Sequence, residues 1–218
     1  MVISCLGFCI WLYSPSYTAW EFCKAGDDLM ERIPGSAFSR SYCSLLGAVV
    51  SSFFSNISTS LALYEKAIYY SAQCYDIGNY AYSTFNQIMT QAFCSIEIPS
   101  LLESIIARMD KLESKVKSGR KDIMIIPSAV YDSHYRLGDV QGEAHKLNPN
   151  VTDEVISSSS GFYLFIHNFY HMLAHYIMGE PECIELEKLI TEKYRDFAPG
   201  ILMNIEFYFF SPLVRILE

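Results

Sequence analysis

The chain has 218 residues, 51% of them hydrophobic and 18% charged. That is long enough to bury a real core, and it excludes general disorder. The net charge of −8, from 24 acidic against 16 basic side chains, argues against nucleic-acid binding by bulk electrostatics.

The first 13 residues, Met1 to Tyr13, carry no charged side chain, and Ser14-Pro15-Ser16 follows. A secretory signal has a positive n-region, yet no Lys or Arg precedes Lys24, so the run reads as the end of a buried helix. It is also too short to span a bilayer. Tyr17 to Ile33 has a mixed 3–4 apolar spacing, stopped by Pro34-Gly35. Ser36 can cap a helix over Phe38 to Phe54. Asn56, Ser58 or Thr59 can cap a third, running through Leu61, Tyr64, Ile68 and Ala72 towards Tyr75. Gly78 in Ile77-Gly78-Asn79 is placed to be the left-handed residue after it, and Tyr80 to Ser95 forms a fourth.

Ser95 to Lys117 has the clearest helical stripe, with Leu101, Ile105, Met109 and Leu112 opposite Glu103, Arg108 and Lys111. Pro99 suits its first turn. Lys115, Lys117, Arg120 and Lys121 crowd its end, where cations answer the helix dipole. Ile123 to Arg136 reads as helix, and 137–153, with two glycines and no period, as a loop. Gly161 to Met178 is a long buried helix broken by Gly179-Glu180-Pro181. Cys183 to Tyr194 and Leu202 to Leu217 complete the set. The expectation is an all-α chain of roughly nine helices in antiparallel pairs, a tetratricopeptide-like array. It forms one domain over 1–218, with sub-blocks 1–136 and 154–218 joined by the loop 137–153.

Chemistry finds little purchase. The seven cysteines are odd in number and lack a C-x-x-C pair, which fits a reducing cytoplasm rather than a disulfide framework. No phosphate-binding glycine loop or G-x-S-x-G elbow occurs. His167, His171 and His175 follow i, i+4, i+8. The first two share a face and could hold zinc, but the surrounding helix is apolar, so core or groove-lining histidines are expected. Asp27-Asp28 and the Glu185/Glu187 pair read as exposed helix charge. No catalytic, cofactor-binding or metal-ligating residue is assigned, and no cofactor.

The stretch from Gly161 to Tyr170, then Tyr176-Ile177-Met178-Gly179, Leu186 to Leu189 and Ile205 to Ser211 resembles the helical-repeat segment of very large multidomain sensor histidine kinases. Leu63 to Ala67 with Asp76 to Ser83 is similar to the preceding helix pair of that family, and Ala19 to Ile33 to the helix before it. The resemblance implies a non-catalytic regulatory module in phosphorelay signalling, a piece or shortened relative of such a protein. It implies protein partners (signalling proteins or a second copy), no nucleic acid and no membrane. The competing readings are a metal protein or enzyme built on His167 and His171, and a secreted or membrane-associated helical protein.

Overall fold

The computed structural model describes residues 1–33, 35–94, 97–115, 121–138, 151–197 and 202–217. The fold is all-α. Among the described residues there are eleven α-helices and no strand. The chain forms two compact units, Met1–Cys94 and Ser95–Glu218. The loop expected at 137–153 falls inside the second of them, and 139–150 of it lies outside the described residues.

The first unit holds α1 (Val2–Tyr13), α2 (Tyr17–Arg32), α3 (Ala37–Phe54), α4 (Ile57–Gln73) and α5 (Ile77–Phe93). Each helix packs on the next, and α3 also touches α1 and α5. Short connections leave each helix no option but to fold back along its predecessor. The uncharged N-terminal run is α1. It buries Ser4, Gly7 and Trp11, and leaves Val2, Leu6 and Tyr13 exposed. Small side chains let α3 and α4 approach closely. Ser41 and Ser71 hydroxyls meet at 2.5 Å, and Ser60 Oγ donates to the Ala48 carbonyl at 2.8 Å. Trp11, Trp20, Cys23, Leu63 and Tyr64 fill the core.

The helix starts follow local chemistry. Ser36 Oγ accepts from the Ser39 N–H at 3.1 Å, and Asn56 Oδ1 from the Ser58 N–H at 3.0 Å, each satisfying a first-turn donor. The turn before α5 departs from expectation. Gly78 is not the left-handed residue but the second residue of α5. The left-handed position belongs to Tyr75, φ 58°. There the Asp76 N–H reaches back to the Ser71 carbonyl at 3.0 Å, while Asp76 Oδ1 caps α5 through the Asn79 N–H at 3.1 Å. One residue separates the two caps, so the turn closes before the glycine is reached.

The second unit holds α6 (Ile98–Lys115), a 3₁₀ turn (Lys121–Met124), α7 (Ile125–Gly138) and α8 (Asp153–Ser157). It continues with α9 (Gly161–Met178), α10 (Glu182–Leu189), a π turn (Ile190–Tyr194), a 3₁₀ turn (Arg195–Phe197) and α11 (Leu202–Arg215). Besides the nine helices expected from Tyr17 onward, the uncharged N-terminal run, read as the end of a buried helix, is the complete helix α1, and α8 is additional. The latter is a five-residue helix capped by Thr152, too short to show a period. The α6 stripe is as expected, with Leu101, Ile105, Met109 and Leu112 buried. Phe165 and Phe169 of α9 stack and meet Phe207 of α11 edge-on. Gly179 ends α9 at φ 73°. The Glu180 N–H bonds the His175 carbonyl at 2.8 Å and the Gly179 N–H that of Tyr176 at 3.1 Å. That pair of bonds is a Schellman motif, in which a left-handed glycine closes a helix.

Candidate functional site

In the first unit a cleft of about 430 Å³ opens between α2, α3 and α4. Trp20, Cys23 and Leu63 line its floor, and Lys24, Asp28 and Lys66 stand at its rim. Lys66 bridges two carboxylates one helical turn apart, Asp27 at 3.2 Å and Glu31 at 2.9 Å. Partial burial pulls the Lys66 ammonium down, but Glu31 and Asp27 together hold it above its ordinary value. The Glu31 carboxyl is held low by its bond from Lys66. Asp27 also accepts from Ser44 Oγ at 3.0 Å and is mostly covered, not the exposed charge expected. Burial, reinforced by Cys43 and Cys5, pushes the Cys23 thiol up to about 12. It is a thiol at neutral pH, and the thiolate is the nucleophile. All seven cysteines are described, and none forms a disulfide.

The three histidines of α9 part company. The rings of His167 and His171 face each other with centroids 4.5 Å apart. His175, at the last turn, turns to the α9 cap instead. Its Nδ1 lies 2.6 Å from Glu180 Oε2 and 4.0 Å from Glu182 Oε2. Arg136, from the end of α7, reaches the same place: its Nη2 is 2.8 Å from Glu180 Oε2 and its Nη1 3.2 Å from His175 Nε2. A guanidinium only donates, so Nε2 must accept, and the ring proton sits on Nδ1 pointing at Glu180. Among the described residues, His175, Glu180 and Glu182 are the group whose metal-ligating atoms lie within 4.8 Å of one another. The sequence pairs His175 with its helical neighbours, but the turn at Gly179 pairs it with residues beyond the helix.

Two further carboxylates lie in protected places. Glu187 is buried rather than exposed. It accepts from Ser211 Oγ at 2.5 Å, Thr191 Oγ1 at 2.8 Å and Arg215 Nε at 3.0 Å. Burial alone would raise it, but these donors overcome burial and hold it below the usual carboxylate range. Its position was readable: Cys183, Glu187 and Ile190 follow i, i+4, i+7 and all are buried. Among the described residues Glu206 on α11 has no such set of donors to offset its burial, which pushes it up to about 7. The phenol of the buried Tyr170 is raised by its own burial and then by Glu206.

Comparison with protein families, curated proteins and solved structures finds no match to this chain. Among the described residues no helix is long and apolar enough to cross a membrane.

Proposed function

We propose that this chain is a non-catalytic protein-binding module of helical-repeat type, acting in cytoplasmic phosphorelay signalling as the resembling segment of large sensor histidine kinases does. The observation that carries the reading is the first unit's packing. Helices stack on their sequence neighbours, and α1, α3 and α5 touch as a row. They open at Val2, Ala37 and Ile77, 35 and then 40 residues apart, within the ~20–45-residue range of stacked helical repeats. In such arrays each repeat contacts its neighbours and the surface so made binds partners. The cleft offers an apolar floor with Trp20 and a rim of mixed charge, the makeup of a contact patch with an anchor pocket. Seven cysteines outside any disulfide suit a reducing compartment.

The test is an autophosphorylation assay on a sensor histidine kinase core from the same genome, with and without the purified chain. The chain should change the rate. The double charge reversal Lys24→Glu/Asp28→Lys should abolish the effect while leaving the far-ultraviolet circular dichroism unchanged. No effect on any such core, or label from ATP appearing stably on His167, His171 or His175, defeats the reading.

A further inference from the structure

We propose that His175, Glu180 and Glu182 form a binding site for a divalent transition cation of the zinc type, with Arg136 as its resident competitor. This inference does not depend on the signalling reading.

The backbone does the assembling. The left-handed turn at Gly179, closed by two hydrogen bonds onto α9, folds residues 180 and 182 back against the last turn of the helix that carries His175. A flexible loop would have to order itself around an ion, whereas these ligands are already convergent. The donor set is one imidazole and two carboxylates. Imidazole with carboxylate suits zinc and its neighbours, while magnesium and calcium prefer oxygen alone.

The spacing is close to what the ion needs. Tetrahedral ligands about 2.0–2.1 Å from zinc stand roughly 3.4 Å from one another. Here His175 Nδ1 is 2.6 Å from one carboxylate and 4.0 Å from the other. One contact must open and the other close, each by less than about 1 Å, a motion a Glu side chain makes by rotation alone. His175 and Glu180 are part-buried and Glu182 is exposed, so solvent reaches the fourth position and a water can fill it.

Arg136 decides how tightly. Its guanidinium holds Glu180 Oε2 at 2.8 Å and donates to His175 Nε2 at 3.2 Å. A metal on Nδ1 takes the lone pair now carrying the proton. The neutral ring must then carry its proton on Nε2, and two donors would face each other there. Cation and guanidinium therefore exclude one another. Each ion bound releases the end of α7 from the α9 turn.

The full chain is titrated with zinc chloride against a chromophoric chelator, in a phosphine reductant, and separately with cobalt(II), whose spectrum reports sulfur ligands. One equivalent should bind, without sulfur-to-cobalt charge-transfer bands. His175→Ala and Glu180→Gln should each weaken binding at least about tenfold. Arg136→Gln should strengthen it a few-fold, since a partly exposed ion pair is removed from competition. Failure of both the wild type and Arg136→Gln to bind overturns the proposal. So does binding that survives His175→Ala, or that is lost on His167→Ala or His171→Ala instead, or that shows cysteine bands. Thermal melts of each variant separate loss of the site from loss of the fold, and the gain in Arg136→Gln is a signal that unfolding cannot produce.

Discussion

Gly26 of α2 faces Ser4 of α1 with no room between them: a Cβ added to the glycine would fall on the serine hydroxyl, with the Ser4 backbone nitrogen 3.0 Å away. One turn further along the pair, Gly7 faces α2 in the same way, its would-be Cβ 2.7 Å from the Ala19 carbonyl oxygen. The buried Cys23 thiol spans the same gap to the Ser4 carbonyl at 3.6 Å. The two helices meet backbone to backbone.

Gly26→Ala should therefore cost on the order of 1–3 kcal/mol, the usual cost of overpacking. Ser4→Gly in the same chain should restore part of it, because the first clash is with a side chain. Gly7→Ala should have no such remedy, since besides the Cys23 sulfur its Cβ meets two main-chain atoms, the Ala19 carbonyl oxygen at 2.7 Å and the Cys23 nitrogen at 2.9 Å. Thermal unfolding of these three variants checks this. Full rescue of Gly7→Ala by any single side-chain change would show that the helices can slide apart.

Tyr75 and Gly179 share one backbone conformation with opposite suitability. A Cβ at Gly179 meets nothing within 4 Å, so Gly179→Val should be destabilising through φ alone, by about 1–2 kcal/mol, with Gly179→Asn milder. Tyr75 holds φ 58° with a side chain, and 86% of that residue is exposed. Tyr75→Asn or Tyr75→Gly should raise the melting temperature. Equal melts for Val and Asn at 179, or a lowered melt for Asn at 75, would contradict the assigned dihedrals.

Glu187 ties α10 to α11 through Ser211 and Arg215. Glu187→Ala strands a buried hydroxyl and the guanidinium, and should cost about 3 kcal/mol in a denaturant titration. The pH sign is set by its lowered folded value. Its stabilisation is complete above the ordinary carboxylate value of 4.5 and is lost as pH falls through the lower folded one. Glu187→Gln should remove that acid-side decline.

Glu206 runs the other way. Its folded value of about 7 exceeds the ordinary 4.5, so the folded state holds a proton the unfolded state has released. Stability should fall as pH rises from about 4.5 to 7 and then level off, by about 2–3 kcal/mol. Glu206→Gln should flatten that window in urea titrations at successive pH values. An unchanged slope would mean the carboxyl is better solvated than its surroundings imply.

The capping residues Ser36 and Asn56, the stripe on α6 and the stop at Gly179 were legible because each is decided within one turn of chain. Tyr75 was not. Glycine is the usual left-handed residue, and choosing Tyr75 over Gly78 required knowing that Asp76 caps the following helix. The His175 group was hidden for a different reason. Arg136 lies 39 residues from His175, and Glu180 and Glu182 sit past a helix break, where a helical period says nothing. Glu187 was hidden by its charge, although its register with Cys183 and Ile190 marked the buried face.

The π turn at Ile190–Tyr194 holds one more residue than an α-helical turn needs. A one-residue deletion inside an ordinary helix swings everything after it around the axis by about 100°. Between Ile190 and Tyr194 the same deletion can be absorbed by tightening the turn to α, with the face on either side kept in phase. This segment is a place where the chain's length can drift by one residue while α10 and its Glu187 anchor keep their register.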